Sequence, residues 1–264
     1  MPTLRELTEY HKPTTIDEAL RLLRRRKIHT VPLAGGTALV PEASPDVQAV
    51  VDLSQLGLSY VKTSEVSGNL RGLEIGATTT LQTLVDDAQV QAYANGVLVQ
   101  ALLDTASRNT REAASLAGSI VASDGKSPLL ATLFALGAQL TVRGARRARE
   151  QTVALEEFSP QSDTLILSVT LPALPAEARA AYEKVARTPA DLPIVCVAAL
   201  KSTDVVRLAL GGVGDQMVLI DADAPTIEEA VELAQASIDP PTDYFASSDY
   251  RREMIGVLVR RVLA

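Results

Sequence analysis

Apolar residues recur at helix spacing and at strand spacing in separate segments of the first 171 residues. Apolar positions three and four residues apart follow the capping box Thr15–Glu18, so the pattern predicts a helix over about 16–26. The same spacing predicts helices that begin near Thr79, near Leu98 and at Ser127–Pro128, the last of which ends at Gly137. Short apolar runs bounded by turn residues predict strands at 31–34, 49–53, 73–77, 139–143 and 165–171.

The pattern changes after residue 171. Pro172–Pro175 has two prolines in four residues and is interpreted as a linker. Three consecutive strands of one antiparallel sheet are predicted at 181–187, 194–201 and 205–211. Two helices are predicted to follow. Thr226 caps the first, with Glu229 completing its capping box, and Ser248 caps the second. We therefore expect an α+β protein, in which an α/β part to about 171 precedes a β-then-α part from about 176.

Composition excludes several classes of function. The 264 residues carry a net charge of −7, contain no Trp and include only 3% aromatic residues, so neither a basic surface nor stacking rings for nucleic acid are indicated. No apolar stretch is long enough to span a membrane, and the first residues show no apolar core of a signal peptide. We expect a cytoplasmic protein that binds neither nucleic acid nor membrane.

No group of side chains indicates catalysis or metal binding. Cys196 lies in an apolar strand and is interpreted as a small buried residue rather than a nucleophile. His11 and His29 are interpreted as structural or solvated, and two histidines with one cysteine leave little for a metal site. The sequence lacks GxSxG, HExxH and a Walker A lysine. We therefore assign no catalytic residue and no metal ligand.

Loops of small residues stand out in three places. Leu33–Thr37 follows a predicted strand, Ile75–Thr80 ends another at a helix start, and Ser115–Ser119 lies before the Ser127–Pro128 helix. Small side chains let backbone N–H groups approach an anionic phosphate, and hydroxyl groups add further donors. Several such loops in one α/β domain favour a nucleotide or a flavin diphosphate, although their spacing differs from the Rossmann GxGxxG pattern.

These loops and other motifs, taken in order, resemble the FAD-binding medium subunit of molybdenum hydroxylases, the family of carbon monoxide dehydrogenase and xanthine dehydrogenase. The resemblance covers nearly the whole chain. Each motif alone has modest specificity, but their combined order is specific to the family. They are Tyr10–Pro13 with 15–20, Leu33–Thr37, Ile75–Thr79, Arg111 with Ser115–Ile120, Leu165–Pro172, Tyr182–Lys184 with Arg187 and Asp191, Leu210–Val213, and Asp249–Arg252.

The resemblance implies a PCMH-type FAD-binding domain over 1–171, with FAD between α/β subdomains of about 1–54 and 55–171. A C-terminal medium-subunit domain over 176–264, with a three-stranded antiparallel sheet and helices, is implied to follow. Backbone of 34–37 and 115–119 would wrap the pyrophosphate, and Asp124 would hydrogen-bond the adenosine ribose. The implied FAD contacts are Leu33, Ala34, Gly35, Gly36, Thr37, Ala38, Leu39, Ala114, Ser115, Gly118, Ser119, Val121, Asp124, and, near the flavin ring, Leu165, Ile166 and Lys184.

The resemblance also implies partners. A 2Fe-2S small subunit would deliver electrons, a molybdopterin-binding large subunit would hold the substrate, and NAD or another acceptor would take the electrons. The family usually has Asp, Gly and Asn where Ala38, Ala117 and Ser119 stand here. Two alternatives therefore stay open: a medium subunit that keeps the fold and docks partners without flavin, and a free-standing FAD oxidoreductase of the same fold.

Overall fold

A computed structural model describes residues 4, 6–42, 45–66, 70–144 and 149–264. The first three residues, on which the signal-peptide expectation partly rests, lie outside this set. The chain opens with a small parallel sheet whose strands lie in the order β1–β3–β2. The elements of this first unit are β1 (Glu9–His11), α1 (Ile16–Leu23), β2 (Thr30–Leu33), α2 (Leu39–Glu42) and β3 (Ala49–Asp52).

Helix α1 begins as predicted and ends earlier than predicted. The Thr15 hydroxyl accepts the Glu18 N–H at 3.3 Å, and the buried face of the helix is Ala19, Leu20 and Leu23. Arg24 is the C-cap and starts a run of four basic residues without an apolar position. The helix therefore stops three residues before the predicted end at 26, because no further turn has a face to bury.

The second unit is a five-stranded antiparallel sheet covered by helices, with its strands in the order β4–β5–β8–β6–β7. Short 3₁₀ turns at Tyr93–Gly96 and Leu155–Glu157 connect some of its elements. The elements are β4 (Val61–Val66), β5 (Leu70–Gly76), α3 (Leu81–Asp86), α4 (Ala88–Ala92), α5 (Val97–Thr105), α6 (Arg108–Ala113), α7 (Leu116–Ala122), α8 (Pro128–Ala135), β6 (Gln139–Gly144), β7 (Gln151–Ala154) and β8 (Thr164–Leu171).

Two predicted helix ends in this unit are confirmed, and one predicted N-cap lies one residue further along the chain. Ser127 caps α8 by accepting the Leu130 N–H at 3.2 Å, and Gly137 ends it with φ of +68°, both as predicted. The predicted cap Thr79 is wrong, because its buried hydroxyl bonds the backbone N and O of Tyr60 instead. Thr80 caps α3 by accepting the Thr83 N–H at 3.1 Å.

The third unit is an antiparallel sheet with strands in the order β12–β11–β10–β9. The three predicted strands are confirmed, but the sheet has four strands rather than three, because the edge segment 218–223 also pairs. The final helix is capped by Ser247 and not by Ser248. The elements are β9 (Arg179–Val185), β10 (Val195–Lys201), β11 (Val205–Gly211), β12 (Val218–Asp223), α9 (Ile227–Ala236) and α10 (Ser248–Leu263).

Both faces of this last sheet are buried, which explains the continuous apolar run in β10. Cys196 and Ala198 pack into the core of the second unit, where α8 lies against β10 and β11. Val195 and Val197 face the other way and pack against α9 and α10. An ion pair from Lys184 Nζ on β9 to Asp104 Oδ1 on α5, at 3.2 Å, lies at the same junction. One face of the last sheet therefore joins the core of the second unit, and the other face forms a separate core with α9 and α10.

Candidate functional site

A cavity of about 490 Å³ lies between the first and second units, a size within the usual range for small-molecule sites. Its walls come from the loop after β2, from α7, and from the segment that leads into β8. The lining residues are His29, Val31, Pro32, Ala34, Gly35, Gly36, Thr37, Ala38, Leu39, Glu42, Val47, Leu53, Ala77, Thr78, Ser115, Ala117, Gly118, Val121, Ala122, Phe158, Pro160, Gln161, Ser162, Thr164, Leu165 and Ile166.

The three small-residue loops predicted from the sequence meet at this cavity. The Ala117 N–H donates to the Ala77 carbonyl at 3.0 Å, and the Leu116 N–H donates to the Thr79 carbonyl at 2.9 Å. These bonds join the loop after β5 to the start of α7. The loop after β2 reaches the same place through Gly35, which packs against the backbone at Ala113.

The two glycines of the loop after β2 have different roles. A Cβ built on Gly35 would lie 1.6 Å from the Ala113 carbonyl oxygen, so Gly35 is required by close backbone approach. Gly36 has φ of +71°, a left-handed conformation that favours glycine. Together these two residues let the loop turn sharply while resting on the end of α6.

Backbone donors in this loop are free to bind a ligand. Among the described residues, the N–H groups of Gly35, Gly36 and Thr37 have no hydrogen-bond acceptor. Consecutive N–H groups of this kind in a turn form an anion-binding concavity. The cavity thus fits a cofactor with a diphosphate, because its lining combines backbone donors on small residues with apolar side chains such as Phe158 and Leu165.

The predicted loop 115–119 is a helix N-terminus and is already hydrogen-bonded. Ser115 caps α7 by accepting the Gly118 N–H at 3.2 Å, and the Ser119 N–H donates to the Ser115 carbonyl at 2.9 Å. With the Leu116 and Ala117 N–H groups bound to the loop after β5, these donors are engaged within the protein. An N–H group of this segment can donate to a ligand only if its present hydrogen bond within the protein is broken.

Eleven of the sixteen predicted site residues line the cavity. They are Ala34, Gly35, Gly36, Thr37, Ala38, Leu39, Ser115, Gly118, Val121, Leu165 and Ile166. Leu33, Ala114 and Ser119 lie next to lining residues in the chain without lining it themselves. Ala114 is buried, and its carbonyl accepts the Leu81 N–H.

Asp124 and Lys184 lie outside the cavity lining. Asp124 is exposed just after α7, and its Oδ1 accepts the Lys126 N–H at 2.9 Å. Lys184 Nζ is held by Asp104 and donates to the Pro189 carbonyl at 2.9 Å. Their FAD contacts stay predictions.

Some lining residues were not predicted from the sequence. Phe158 gives the cavity an aromatic side chain, and Gln161 and Ser162 lie on the same segment before β8. His29, which precedes β2 and was interpreted as structural or solvated, lines the cavity, and its Nδ1 lies 3.0 Å from Asp46 Oδ2. The His29–Asp46 pairing joins residues 17 positions apart and belongs to no local motif, so spacing gave no signal for it.

The cavity has few charged groups of its own. His29 and Glu42 are the titratable side chains among its described lining residues. Cys196 is fully buried elsewhere, and burial raises the pKa of its thiol to about 12, as expected for a packed and unreactive cysteine. Among the described residues, no cluster of His, Cys, Asp and Glu could hold a metal ion, and no helix could cross a membrane.

Comparison with known families matches almost the whole chain. Residues 5–174 match the model of the FAD binding domain in molybdopterin dehydrogenase. Residues 180–264 match the model of the CO dehydrogenase flavoprotein C-terminal domain. The gap between the two matches includes part of the predicted linker at Pro172–Pro175.

Individual relatives give the same picture. The chain is 28% identical to the glyceraldehyde dehydrogenase medium chain of Sulfolobus acidocaldarius, over 96% of this chain and 95% of the relative. It is 27% identical to the carbon monoxide dehydrogenase medium chain of Afipia carboxidovorans, over 97% and 95%. Its fold is similar to a chain of reconstituted CO dehydrogenase from Oligotropha carboxidovorans, with a TM-score of 0.85, 24% identity, and coverage of 100% and 98%.

Proposed function

Since the chain belongs to the family of molybdopterin dehydrogenase FAD-binding subunits, we propose that it passes electrons from iron–sulfur clusters through FAD to an external acceptor. The family resemblance and the FAD cofactor expected from the sequence motifs are confirmed by the family matches. The path of the electrons is the part that we propose. What best supports bound FAD, on which that path depends, is the cavity, where the N–H groups of Gly35, Gly36 and Thr37 have no acceptor among the residues that the structure describes.

We propose that the loop after β2 holds the FAD diphosphate. Gly35, Gly36 and Thr37 offer three consecutive donors, and hydrogen bonds from neutral N–H groups to a charged phosphate are stronger than those between neutral partners. Thr78 and Ser115 border the same space with hydroxyl groups. Neutral donors would hold the two phosphate charges without a cation.

Apolar side chains in the cavity lining suit a flavin ring. Leu165 and Ile166 are nearly buried at the start of β8, and Phe158 lies on the segment before them. Such side chains exclude water from one end of the site. FAD supplies the redox chemistry when bound, so the chain needs to position and cover it rather than provide a catalytic side chain.

The proposed partners follow from the relatives. Two relatives are named as medium chains of dehydrogenases, and another as a subunit of the 6-hydroxypseudooxynicotine dehydrogenase complex. We propose that this chain likewise assembles with a 2Fe-2S subunit that delivers electrons and a molybdopterin subunit that binds the substrate. NAD or another small acceptor would then reoxidise the flavin.

An absorption spectrum of the purified full chain, with FAD quantified after denaturation, tests the proposal. We expect flavin bands and close to one FAD per chain. A colourless chain that takes up no added FAD, yet assembles with both companion subunits, supports the flavin-free alternative. Flavin reduction by a substrate and reoxidation by oxygen without any companion subunit supports the free-standing oxidoreductase.

A further inference from the structure

A charged side chain lies fully buried in the third unit. Arg251 on α10 is 0% exposed. It donates to the carbonyls of Ile194 at 2.6 Å and Gly212 at 2.8 Å, and to both carboxylate oxygens of Asp243 at 2.8 Å. A buried cation is costly unless such partners surround it. These bonds fasten α10 to Gly212, the residue that follows β11.

Gly212 connects the third unit to the second unit. Its carbonyl accepts from Arg251, and its N–H donates to the Gly125 carbonyl at 2.7 Å. Gly212 has φ of +78°, and an added Cβ would lie 2.1 Å from the Ile194 carbonyl oxygen, so the position requires glycine. One residue thus joins the buried arginine to the connection between α7 and α8, which contains Gly125.

Two further glycines bring the backbones of the two units into contact at this point. A Cβ built on Gly125 would lie 2.8 Å from the Asp215 carbonyl oxygen. A Cβ built on Gly211 would lie 2.6 Å from Cys196 Sγ and 3.1 Å from the Gly125 carbonyl oxygen. We name Gly125, Gly211 and Gly212 the glycine junction. Because no side chain of these residues separates the two backbones, a shift of the third unit must be followed at Gly125.

The stretch before Gly125 is tied to a wall of the FAD cavity. Val121–Ala122, at the end of α7, lines the cavity. Ser123 Oγ donates to the Ser119 carbonyl at 2.5 Å and lies 3.0 Å from the hydroxyl oxygen of Ser127, which caps α8. These bonds hold the stretch to the helices on both sides of it. The position of Gly125 therefore bears on the position of the α7 wall.

We propose that Arg251 is a positioning residue for FAD, which acts through the glycine junction to hold the α7 wall of the cavity in its binding position. The third unit would then set the affinity for FAD, although none of its described residues lines the cavity. This inference rests on the proposed function, since it needs FAD in that cavity. A purely structural Arg251 would stabilise the third unit and leave FAD affinity unchanged as long as the chain is folded.

Titration of the full-length apoprotein with FAD, well below its melting temperature, tests the proposal. We expect Arg251→Met and Gly125→Ala each to weaken FAD binding about three- to thirtyfold. Leu258→Ala is the matched control, because Leu258 is also 0% exposed on α10 but lies about 10 Å further along that helix. It should lower the melting temperature as well and change FAD affinity less than about twofold.

The double variant Arg251→Met/Gly125→Ala separates positioning from stability. If both residues act on FAD through one contact, the second substitution removes a coupling that is already lost, so the double variant should bind FAD no more weakly than the weaker single variant. Losses of FAD affinity that add in the double variant overturn the proposal. So do losses that follow the melting temperature in every variant, Leu258→Ala included.

Hydrogen exchange of the wild-type chain tests the same coupling without any variant, and decides the case if Arg251→Met does not fold. Coupling between two sites is reciprocal, so bound FAD should slow amide exchange at 121–127 and 211–213 more than in β12 of the same unit. Unchanged exchange at 211–213 with FAD bound overturns the inference alone. A wild-type chain that binds no FAD refutes both this inference and the proposed function. A chain that shows the coupling but passes no electrons refutes only the proposed electron path.

Discussion

Replacing Gly35 by alanine tests the contact that brings the loop after β2 onto the end of α6. The added Cβ would lie 1.6 Å from the Ala113 carbonyl oxygen and 2.5 Å from its carbonyl carbon. Both are backbone atoms, so no side chain can rotate to make room. The loop and the chain at Ala113 must separate by more than one ångström, which displaces the N–H groups of Gly36 and Thr37.

The expected loss of FAD affinity is larger than the expected loss of stability. Forcing extra volume into a packed contact costs about 1–3 kcal/mol. A hydrogen bond to a charged group contributes about 1.5–3 kcal/mol, so misplacing two donors weakens FAD binding roughly a hundred- to ten-thousand-fold. Circular dichroism melting of the apoprotein gives the first quantity, and titration of apoprotein with FAD gives the second.

Gly57→Ala is the matched control. Gly57 has φ of +70°, so alanine is strained there by about 1–2 kcal/mol, and an added Cβ would meet no atom within 4 Å. Gly57 does not line the cavity. We expect this variant to melt earlier and to bind FAD normally. Wild-type FAD affinity in Gly35→Ala refutes the loop geometry, and equal FAD loss in both variants shows that binding only follows stability.

Three further predictions test other parts of the structure. Val121 is 49% exposed and lines the cavity, so Val121→Asp should repel the diphosphate and lower FAD affinity at unchanged melting temperature. Val205→Asp is the control and should not change FAD affinity, because Val205 is exposed on β11, outside the cavity lining. The hydrogen bond from the Arg251 guanidinium lowers the pKa of Asp243 from 3.8 to about 2. The ionised carboxylate therefore stabilises the fold above its ordinary pKa, and this stabilisation is lost as pH falls toward 2. The difference in melting temperature between wild type and Asp243→Asn should shrink over that range. Cys196 should react with a thiol reagent only on unfolding, and fast labelling of the native chain would contradict its burial.

Local patterns in the sequence predicted the elements that depend on local physics. The caps at Thr15, Ser127 and Thr226, and the glycine that ends α8, are satisfied by residues three or four positions away. Strand β10 was predicted from one apolar run. Such features need no knowledge of the rest of the chain.

Features that depend on distant partners were missed or shifted. The Thr79 hydroxyl bonds Tyr60 across the fold, so the cap passes to Thr80. Strand β12 has large apolar residues only in its first half, and it pairs because β11 offers an edge. Helix α7 was predicted as a loop, and Gly118 and Ser119 lower its helix propensity, yet Ser115 capping and two backbone bonds to the loop after β5 fix it.

In the candidate site, too, local motifs were predicted from the sequence and distant contacts were not. The contacts that the structure shows explain the residues where this chain departs from its family. Ala117 is helical and its N–H is already bound to the Ala77 carbonyl, so its methyl group requires no left-handed backbone. Ala38 directly precedes α2, and its carbonyl accepts the N–H of Glu42, the last residue of that helix. Among the described residues, the N–H groups of Gly35, Gly36 and Thr37, where the family motif is intact, have no hydrogen-bond acceptor, and the same holds for the N–H of Ala38. The departures at Ala38 and Ala117 change side chains and leave these backbone donors in place, which favours a flavin-binding subunit over one that keeps only the fold.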